Sequence, residues 1–426
     1  MKKLMGALVI TGAMVPGMAL ATNGYFAHGY GMKAKGMAGV GIALPQDALA
    51  AATNPAGMAF VGDRLDLGLD WFRPIRDSEL VSSAGAMPGM TGKFDGSGKK
   101  NFFIPEFGYN KMLTPEIALG VSVYGNGGMN STYDNGGIPL FNGGNGKRTS
   151  MDMAQLFIAP TLAWKLNQDH AIGASINLVY QMFKLQGLNG FASPFFSENP
   201  GRLTNKGRDS STGWGVKIGY TGNLTDAVTV GVTYQSRTWM SRFKKYKGLF
   251  ADQGEFDIPE HYGVGIAVKA TPKLTLAADV QRINYSSIDT VGNSVSKLMS
   301  GKLLGSDNGP GFGWRDMTVY KLAASYAWNK DLTLRAGFST TRQPIPKDET
   351  LFNMIAPAVV EKHLTLGATW AVTPSSELTV AYMHAFNKKV KGSGSGALLQ
   401  PMLGTTVEAN LKMYEDSFGI AWGMRF

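Results

Sequence analysis

Residue-by-residue alternation between apolar and small or polar side chains runs through most of the sequence after Arg64. Clear examples are residues 172–181, 228–235 and 364–370, where aliphatic or aromatic side chains alternate with Gly, Ser, Thr, Asn or Gln. Successive side chains of a β-strand point to opposite faces, so a period of two predicts strands. Soluble sandwiches usually carry charged residues on the outer face, whereas the small side chains here favour packing inside a narrow lumen.

Fourteen segments follow this pattern, and the connections between them alternate in length. The predicted strands are residues 64–74, 100–111, 116–124, 151–166, 170–184, 212–222, 226–237, 255–268, 273–284, 314–328, 332–341, 362–372, 377–387 and 411–426. Six tight turns join alternate pairs, and longer segments rich in Gly, Ser, Asn and Pro join the others. An even number of strands with short turns at one end and long loops at the other is typical of bacterial outer-membrane barrels. The predicted fold is all-β: a 14-stranded antiparallel transmembrane β-barrel over residues 64–426.

Both ends of the chain carry signals for export. Two lysines, a short apolar run and the sequence Ala19-Leu20-Ala21 predict a signal peptide over residues 1–21. The apolar run is shorter than the roughly 20 residues that a membrane helix needs. The last predicted strand alternates apolar and small residues and ends in Phe426, which resembles the signal that the barrel-assembly machinery recognises. We therefore expect a location in the outer membrane of a Gram-negative cell.

Composition narrows the classes of function. The chain has 55 glycines and no cysteine, which excludes a disulfide scaffold and a thiolate metal site. The 5 histidines have no spacing that favours a catalytic triad or a metal centre, so we predict neither an enzyme nor a cofactor. The basic residues are scattered, so nucleic acid is not an expected partner. A formal net charge of +10 also suits anionic lipopolysaccharide.

Residues 22–63 do not follow the strand pattern. They are small, apolar and barely charged, and the stretch from Asp47 to Ala52 predicts a short helix that Asn54-Pro55-Ala56 closes. A long segment of this kind needs burial, and the lumen of the barrel is the natural place. We therefore predict an N-terminal hatch over residues 22–63, which distinguishes this barrel from an open porin.

Several short motifs occur in an order that resembles one known family. They are Gln46-Asp47-Ala48 ahead of Asn54-Pro55-Ala56, Ile104-Pro105-Glu106-Phe107, Ile258-Pro259-Glu260 and Pro344-Ile345-Pro346. Their spacing along the mature chain looks like that of the FadL/TodX (OmpP1) family of outer-membrane transporters. The resemblance implies uptake of long-chain fatty acids or aromatic hydrocarbons. We expect a monomer whose partners are a hydrophobic small molecule and outer-membrane lipid.

The resemblance also implies where a substrate is captured and bound. An outer groove would be formed by apolar residues of the third and fourth long loops: Leu188, Phe191, Phe195, Phe196, Trp239, Met240, Leu249 and Phe250. The internal pocket would involve the mature N-terminus, Thr22, Asn23 and Gly24, while Asn54, Pro55 and Ala56 match the hatch motif. Alternatively, the loop aromatics only cap the barrel by packing on one another.

Release and substrate choice involve two further places. The family's lateral gate, a kink in strand three, corresponds to Tyr124, Gly125, Asn126, Gly127 and Gly128, where glycines weaken the ladder. These glycines could instead begin the second long loop. Arg315 matches the place of a family lysine and could bind a substrate carboxylate, neutralise Asp316 or contact lipopolysaccharide phosphate. A nonspecific porin and a purely structural barrel are the alternative functions.

Overall fold

One antiparallel sheet dominates the computed structural model, which describes residues 22–82 and 90–426. The predicted signal peptide, residues 1–21, lies outside the described residues. Fourteen strands form the wall in the described part of the chain. They are β1 (Arg64–Ser82), β2 (Phe102–Met112), β3 (Ile117–Tyr133), β4 (Thr149–Lys165), β5 (His170–Gln186), β6 (Asp209–Asn223), β7 (Val228–Gln235), β8 (His261–Lys269), β9 (Leu274–Ile283), β10 (Met317–Ala327), β11 (Leu332–Thr341), β12 (Lys362–Thr373), β13 (Ser376–Val390) and β14 (Val407–Arg425). Two short strands, Gly92–Asp95 and Trp239–Met240, pair beside β1 and β6.

Each wall strand pairs with its sequence neighbours, and the first strand also pairs with the last. β1 and β14 are matched over their lengths, from Arg64 opposite Arg425 to Ser82 opposite Val407. This pairing closes the sheet, and a closed barrel is the strand arrangement that pairs its own backbone groups within lipid. The predicted 14-stranded antiparallel β-barrel is confirmed.

Several strands differ in length from the predicted ones at the end of the barrel that carries the long loops, here called the loop end. β3 extends to Tyr133 where 124 was predicted, and β1 extends to Ser82 where 74 was predicted. The eighth strand begins later, at His261, because Ile258 forms an isolated bridge with Thr238 instead. β1 and β3 thus extend beyond the residues that alternate in polarity, and the sequence pattern did not predict these extensions.

Alternation divides each wall strand between the outside and the interior. On β12, Leu364, Leu366 and Trp370 are 44%, 54% and 56% exposed, whereas His363 and Thr365 are fully buried. Exposed apolar side chains of this kind face lipid in a membrane barrel. The small and polar residues of the sequence pattern therefore line the interior.

The helices of the described chain are all short. In the N-terminal part, α1 spans Met32–Lys35, α2 spans Ala50–Thr53 and a 3-10 helix spans Pro55–Phe60. The helix predicted from 47 to 52 begins later, because Asp47 accepts a hydrogen bond from Leu49 N and caps the turn before it. The loops contain α3 (Pro139–Asn142), α4 (Ala251–Gly254), α5 (Asp289–Gly292), α6 (Gln400–Leu403) and 3-10 turns at Asn189–Phe191, Pro200–Arg202, Lys244–Tyr246, Tyr285–Ser287, Val295–Ser300, Lys347–Glu349, Phe352–Met354 and Ala397–Leu399. Within the described ranges, every helix is too short or too polar to cross a bilayer.

Residues 22–63, here called the N-terminal segment, contact glycines on the inner face of the wall. A Cβ added to Gly231 of β7 would lie 2.3 Å from the Ile42 carbonyl oxygen. A Cβ added to Gly337 of β11 would lie 2.5 Å from Ala38 N. These two strands are well separated in the sheet, so glycines on several sides of the lumen leave the space that the segment occupies.

Buried ion pairs also join the N-terminal segment to the wall. Lys35 Nζ lies 2.9 Å from the Asp70 carboxylate and 2.6 Å from the Glu106 carboxylate. Lys33 Nζ lies 2.5 Å from Glu377. Removing one partner from a buried pair leaves an uncompensated charge, which strongly destabilises a protein. These contacts therefore hold the segment at one position along the barrel axis.

Replacing Gly231 by alanine tests how tightly the segment fits. We expect Gly231→Ala to cost about 1–3 kcal/mol of stability, because the new methyl group overlaps the Ile42 carbonyl. Ion conductance in planar bilayers should rise as the segment is displaced. The matched control is Gly68→Ala on β1, where a Cβ would have 3.5 Å of clearance from Glu106. Equal unfolding temperatures and equal conductances for the two variants would contradict this fit.

Candidate functional site

The ladder between β2 and β3 is incomplete. β2 pairs with β1 as far as Phe102, but with β3 only as far as Phe107, which lies opposite Val123. β3 nevertheless continues to Tyr133, paired with β4. The described wall is therefore interrupted between the loop-end halves of β2 and β3. Pro105 of β2 cannot donate to a ladder, which suits a strand that has an unpaired edge here.

β3 changes its register and its burial pattern at its glycines. Its register with β4 shifts between Gly125 and Gly127, which is a β-bulge. Residues 117–123 alternate in exposure, whereas residues 124–133 are all buried, so the loop-end half of the strand has protein on both faces. The predicted gate, Tyr124 to Gly128, thus lies within a strand and does not begin the second long loop.

The N-terminal segment bonds to the edge of β3 that β2 leaves open. Ala27 N donates to the Asn126 carbonyl at 2.8 Å, and Gly128 N donates to the Tyr25 carbonyl at 2.9 Å. A Cβ on Gly127 would lie 2.0 Å from the same Tyr25 oxygen, so only glycine permits this approach. The segment therefore takes the hydrogen-bonding position of the missing strand neighbour.

The first described residues lie beneath an aromatic cluster. The Tyr25 ring centroid is 5.1 Å from Tyr285, 5.9 Å from Trp314 and 6.0 Å from Phe256. These are tilted contacts, the arrangement that aromatic pairs prefer. The Trp314 Nε1 proton is donated to Asn353 at 2.6 Å, which fixes the indole in the cluster.

Thr22, Asn23 and Gly24 form a tight turn against Tyr285. The Tyr285 hydroxyl donates to the Asn23 carbonyl at 2.5 Å, and Thr22 Oγ1 donates to Phe26 O at 2.9 Å. Gly24 has a φ of +68°, and a Cβ there would lie 2.6 Å from the Tyr285 hydroxyl oxygen. The predicted pocket residues are thus buried, and Asn23 Oδ1 has no hydrogen-bond partner among the described residues.

Most of the predicted loop side chains are also buried. Those that are at most 8% exposed are Leu188, Phe191, Phe196, Met240, Leu249 and Phe250. Phe191 packs on Phe352 at 4.8 Å, and Phe250 packs on Phe183 at 4.6 Å and on Phe256 at 5.1 Å. Because Phe256 also touches Tyr25, aromatic packing runs without a break from the fourth loop to the N-terminal segment.

Two predicted loop residues are exposed, in different surroundings. Phe195 is 87% exposed in the third long loop. Trp239 is 49% exposed and lies in a short strand that pairs with β6, with its ring 5.4 Å from Trp214. Trp239 therefore belongs to the outward face of the wall, whereas the sequence placed it in the capture groove. A two-residue strand shows too little alternation to be predicted.

Polar side chains beside the interruption in the wall were not predicted. The buried guanidinium of Arg76 lies 5.8 Å from the ring of Phe102. Both amide atoms of Asn130 and both carboxylate oxygens of Glu415 are buried without a hydrogen-bond partner among the described residues. Arg76, Asn130 and Met413 line a cavity of about 10 Å³. The sequence signal was weak, because single inward polar residues also occur elsewhere in the wall.

Arg315 lies apart from the aromatic cluster. Its neighbour Trp314 points inward and is buried, whereas Arg315 is exposed at the loop end. Asp316 accepts from Arg282 at 2.8 Å, so Arg315 is not its ion-pair partner. Arg315 instead lines an outer cleft of about 940 Å³ with Arg342 and Lys391.

Comparison with known proteins agrees with this geometry. The family described as outer membrane protein transport protein (OMPP1/FadL/TodX) matches residues 12–422. The chain belongs to this family. Its members are outer-membrane transport proteins, so the predicted family and location are confirmed. A long-chain fatty acid transport protein of Escherichia coli O6:H1 is 24% identical over 338 residues, which cover 69% of this chain and 72% of that protein.

Solved structures of the FadL/TodX family share the fold. The toluene transporter TodX of Pseudomonas putida superposes with a TM-score of 0.69 at 19% identity, covering 94% of this chain and 99% of that one. A FadL homologue of Pseudomonas aeruginosa gives a TM-score of 0.72 at 17% identity, covering 95% of this chain and 100% of that one. At this identity the likeness concerns the barrel architecture alone.

Asn54, in the predicted hatch motif Asn54-Pro55-Ala56, joins the N-terminal segment to β6. Asn54 Nδ2 lies 2.8 Å from the Ile42 carbonyl, 2.9 Å from the Tyr220 carbonyl and 3.0 Å from Thr221 Oγ1. Its Oδ1 accepts from Ala56 N at 3.1 Å, which caps the 3-10 helix. These contacts anchor the N-terminal segment, and they do not indicate a ligand-binding role for Asn54.

Removing the Asn54 side chain should loosen the segment. We expect Asn54→Ala to cost about 1–3 kcal/mol, because it leaves buried acceptors on two elements unpaired. Thr221→Val, which removes only one of those acceptors, should have a smaller effect. Ion conductance in planar bilayers and the temperature of barrel unfolding measure both. The anchor role fails if Asn54→Ala matches the unmodified protein in both measurements.

Proposed function

We propose that this protein takes up long-chain fatty acids or aromatic hydrocarbons across the outer membrane. Capture would occur at the long loops, binding inside the plugged barrel, and release sideways into the membrane. The observation that carries the proposal is the interrupted ladder between β2 and β3, because a wall opening lets an apolar molecule leave without entering water. The fatty acid and toluene transport activities in the names of its relatives support the substrate classes.

Capture would begin at Phe195, since a largely exposed phenylalanine in a long loop offers an apolar contact to a substrate arriving from outside. Leu188, Phe191, Phe196, Leu249 and Phe250 lie behind it. From Phe250, aromatic packing continues through Phe256 to Tyr25. A substrate would advance by replacing aromatic contacts one after another, at little cost because one apolar surface exchanges for another.

Binding inside the barrel requires the N-terminal segment to act as a hatch. Cavities that the segment lines have volumes of about 20 Å³ and 10 Å³, which suffice for single water molecules. Thr22, Asn23 and Gly24 would therefore have to move away from Tyr285 to admit a substrate. The same small volumes disfavour a nonspecific porin, which needs a water-filled path.

Release would follow the edge of β3. Tyr25 and Ala27 hold that edge through backbone hydrogen bonds to Asn126 and Gly128. Movement of the hatch would break these bonds and expose the opening in the wall. A purely structural barrel has no need for such an interruption, which favours transport over that alternative. A single chain closes the barrel, so a monomer would suffice. The barrel-assembly machinery would recognise the strand that ends at Phe426.

Covalent closure of the wall tests lateral release. The chain has no cysteine, so Pro105→Cys with Gly125→Cys introduces a pair that spans the interruption. Treatment with a bifunctional thiol reagent that a reductant cleaves should slow uptake of a radiolabelled long-chain fatty acid by cells at least tenfold. Reduction should restore the rate, because the barrel itself is intact.

The matched control uses the closed part of the same two strands. Tyr109 and Val121 already face each other in the ladder, so Tyr109→Cys with Val121→Cys should crosslink without changing uptake. If the gap pair is fully crosslinked and the fatty acid still enters at the unmodified rate, release does not occur between β2 and β3.

The polar groups beside the opening favour a substrate with a polar head over a pure hydrocarbon. Buried polar atoms without partners are costly, and a site built to hydrogen-bond its ligand rejects analogues that lack the bonding group. Arg76 and Asn130 can donate to a carboxyl group, and Glu415 can accept from its protonated form. We therefore propose long-chain fatty acids, in preference to aromatic hydrocarbons, as the substrates.

Asn130→Leu tests this order of substrates. The variant keeps the approximate volume but removes both unpaired amide atoms, so fatty-acid uptake should fall about tenfold, the equivalent of one lost hydrogen bond to a charged group. Toluene uptake, measured in the same cells, should be unchanged or faster. An equal loss for both compounds would indicate damage to the barrel and would remove the polar-head assignment.

A further inference from the structure

The loop ends of β10 to β13 surround a basic cleft of about 940 Å³, here called the rim cleft. Its basic residues are Arg315, Arg342, Lys347, Lys388, Lys389 and Lys391. Three acidic residues also line it: Asp316, Asp348 and Glu361. The rim cleft lies outside the aromatic path, so the transport function described above does not use it.

Two of the three acids are already neutralised. Asp316 pairs with Arg282 at 2.8 Å, and Glu361 pairs with Lys388 at 2.5 Å. Lys389 pairs with Glu79 at 3.2 Å. Among the described residues, Arg315, Arg342, Lys347 and Lys391 have no ion-pair partner within 4.0 Å. The rim cleft therefore concentrates four basic side chains without ion-pair partners on three neighbouring loops.

An apolar wall lies on the same strands. Tyr320, Phe338, Leu364 and Tyr382, on β10 to β13, are between 41% and 54% exposed on the outward face. Phe386, two residues before Lys388, is 43% exposed. A ligand that lies along this surface contacts apolar side chains on the wall and basic side chains at the loop end. That combination fits a lipid with a phosphorylated head group.

We propose that the rim cleft binds the phosphorylated lipid A portion of lipopolysaccharide. Arginine pairs with phosphate through forked hydrogen bonds, and lysine contributes a compact charge, so the mixture here suits several phosphate oxygens at once. Basic pockets next to a membrane recognise anionic lipid head groups in this way. The acyl chains would lie against Tyr320, Phe338 and Tyr382. The assignment goes beyond the proposed transport function and does not depend on it.

Binding can be measured with the purified mature protein in detergent, using fluorescently labelled lipopolysaccharide. The test variant is Arg342→Glu with Lys391→Glu, which reverses two exposed charges outside the substrate path. We expect its affinity for lipopolysaccharide to be at least tenfold lower. The matched control, Lys206→Glu with Lys244→Glu, makes the same change in charge on exposed residues of other loops and should bind as the unmodified protein does.

Two further ligands separate the possible sources of phosphate. Dephosphorylated lipopolysaccharide should bind at least tenfold more weakly than the intact lipid, and millimolar inorganic phosphate should not displace it. Displacement by inorganic phosphate alone would mean a site for free phosphate and would overturn the lipid assignment. Equal affinity of the test variant and the control for the intact lipid would overturn the site itself. Unfolding temperatures of all variants check that the barrel is intact.

Discussion

The backbone of β3 imposes the constraint on which the other features depend. A strand within a membrane must satisfy its amide and carbonyl groups, and the ladder between β2 and β3 ends before the loop-end half of β3. There Ala27 and Tyr25 supply the missing partners, and residues 96–98 bond to Thr132 further up the strand. The opening in the wall and the position of the N-terminal segment are therefore one structural unit, because neither can change without breaking the other's hydrogen bonds.

Polar groups inside the barrel also hold the N-terminal segment in position. Lys35 pairs with two wall carboxylates, Lys321 donates to the Gly39 carbonyl at 3.2 Å, and Lys217 bonds to the Ala52 carbonyl. These lysines are committed to the N-terminal segment and do not line a route for ions. Buried charged groups of this kind favour one arrangement over others at some cost in stability. The interior polarity thus positions the segment, while aromatic side chains supply the apolar path above it.

The sequence predicted the wall well because lipid outside and small residues inside impose a period of two on every strand. The prediction failed where the two faces of a strand do not differ in this way. Residues 124–133 of β3 are buried on both faces, so their alternation vanishes and the strand seemed to end early. Trp239 faces outward from a strand too short to show a period. Arg76, Asn130 and Glu415 lie on β1, β3 and β14, and the pairing of β1 with β14 and the extension of β3 beyond its bulge are features that local patterns cannot reveal.

Two groups of basic residues in the described chain differ in their burial. Basic residues within the barrel are buried, where an unpaired charge is costly, and so each one bonds to a carboxylate or a carbonyl. Basic residues of the rim cleft are exposed to water, where an unpaired charge costs little, and four of them have no ion-pair partner within the described chain. Burial therefore explains why the first group stabilises the N-terminal segment, whereas the second is available to an external anion. Positive charge thus stabilises the internal structure within the wall, and at the rim it supplies the exposed cations on which the proposed lipid site depends.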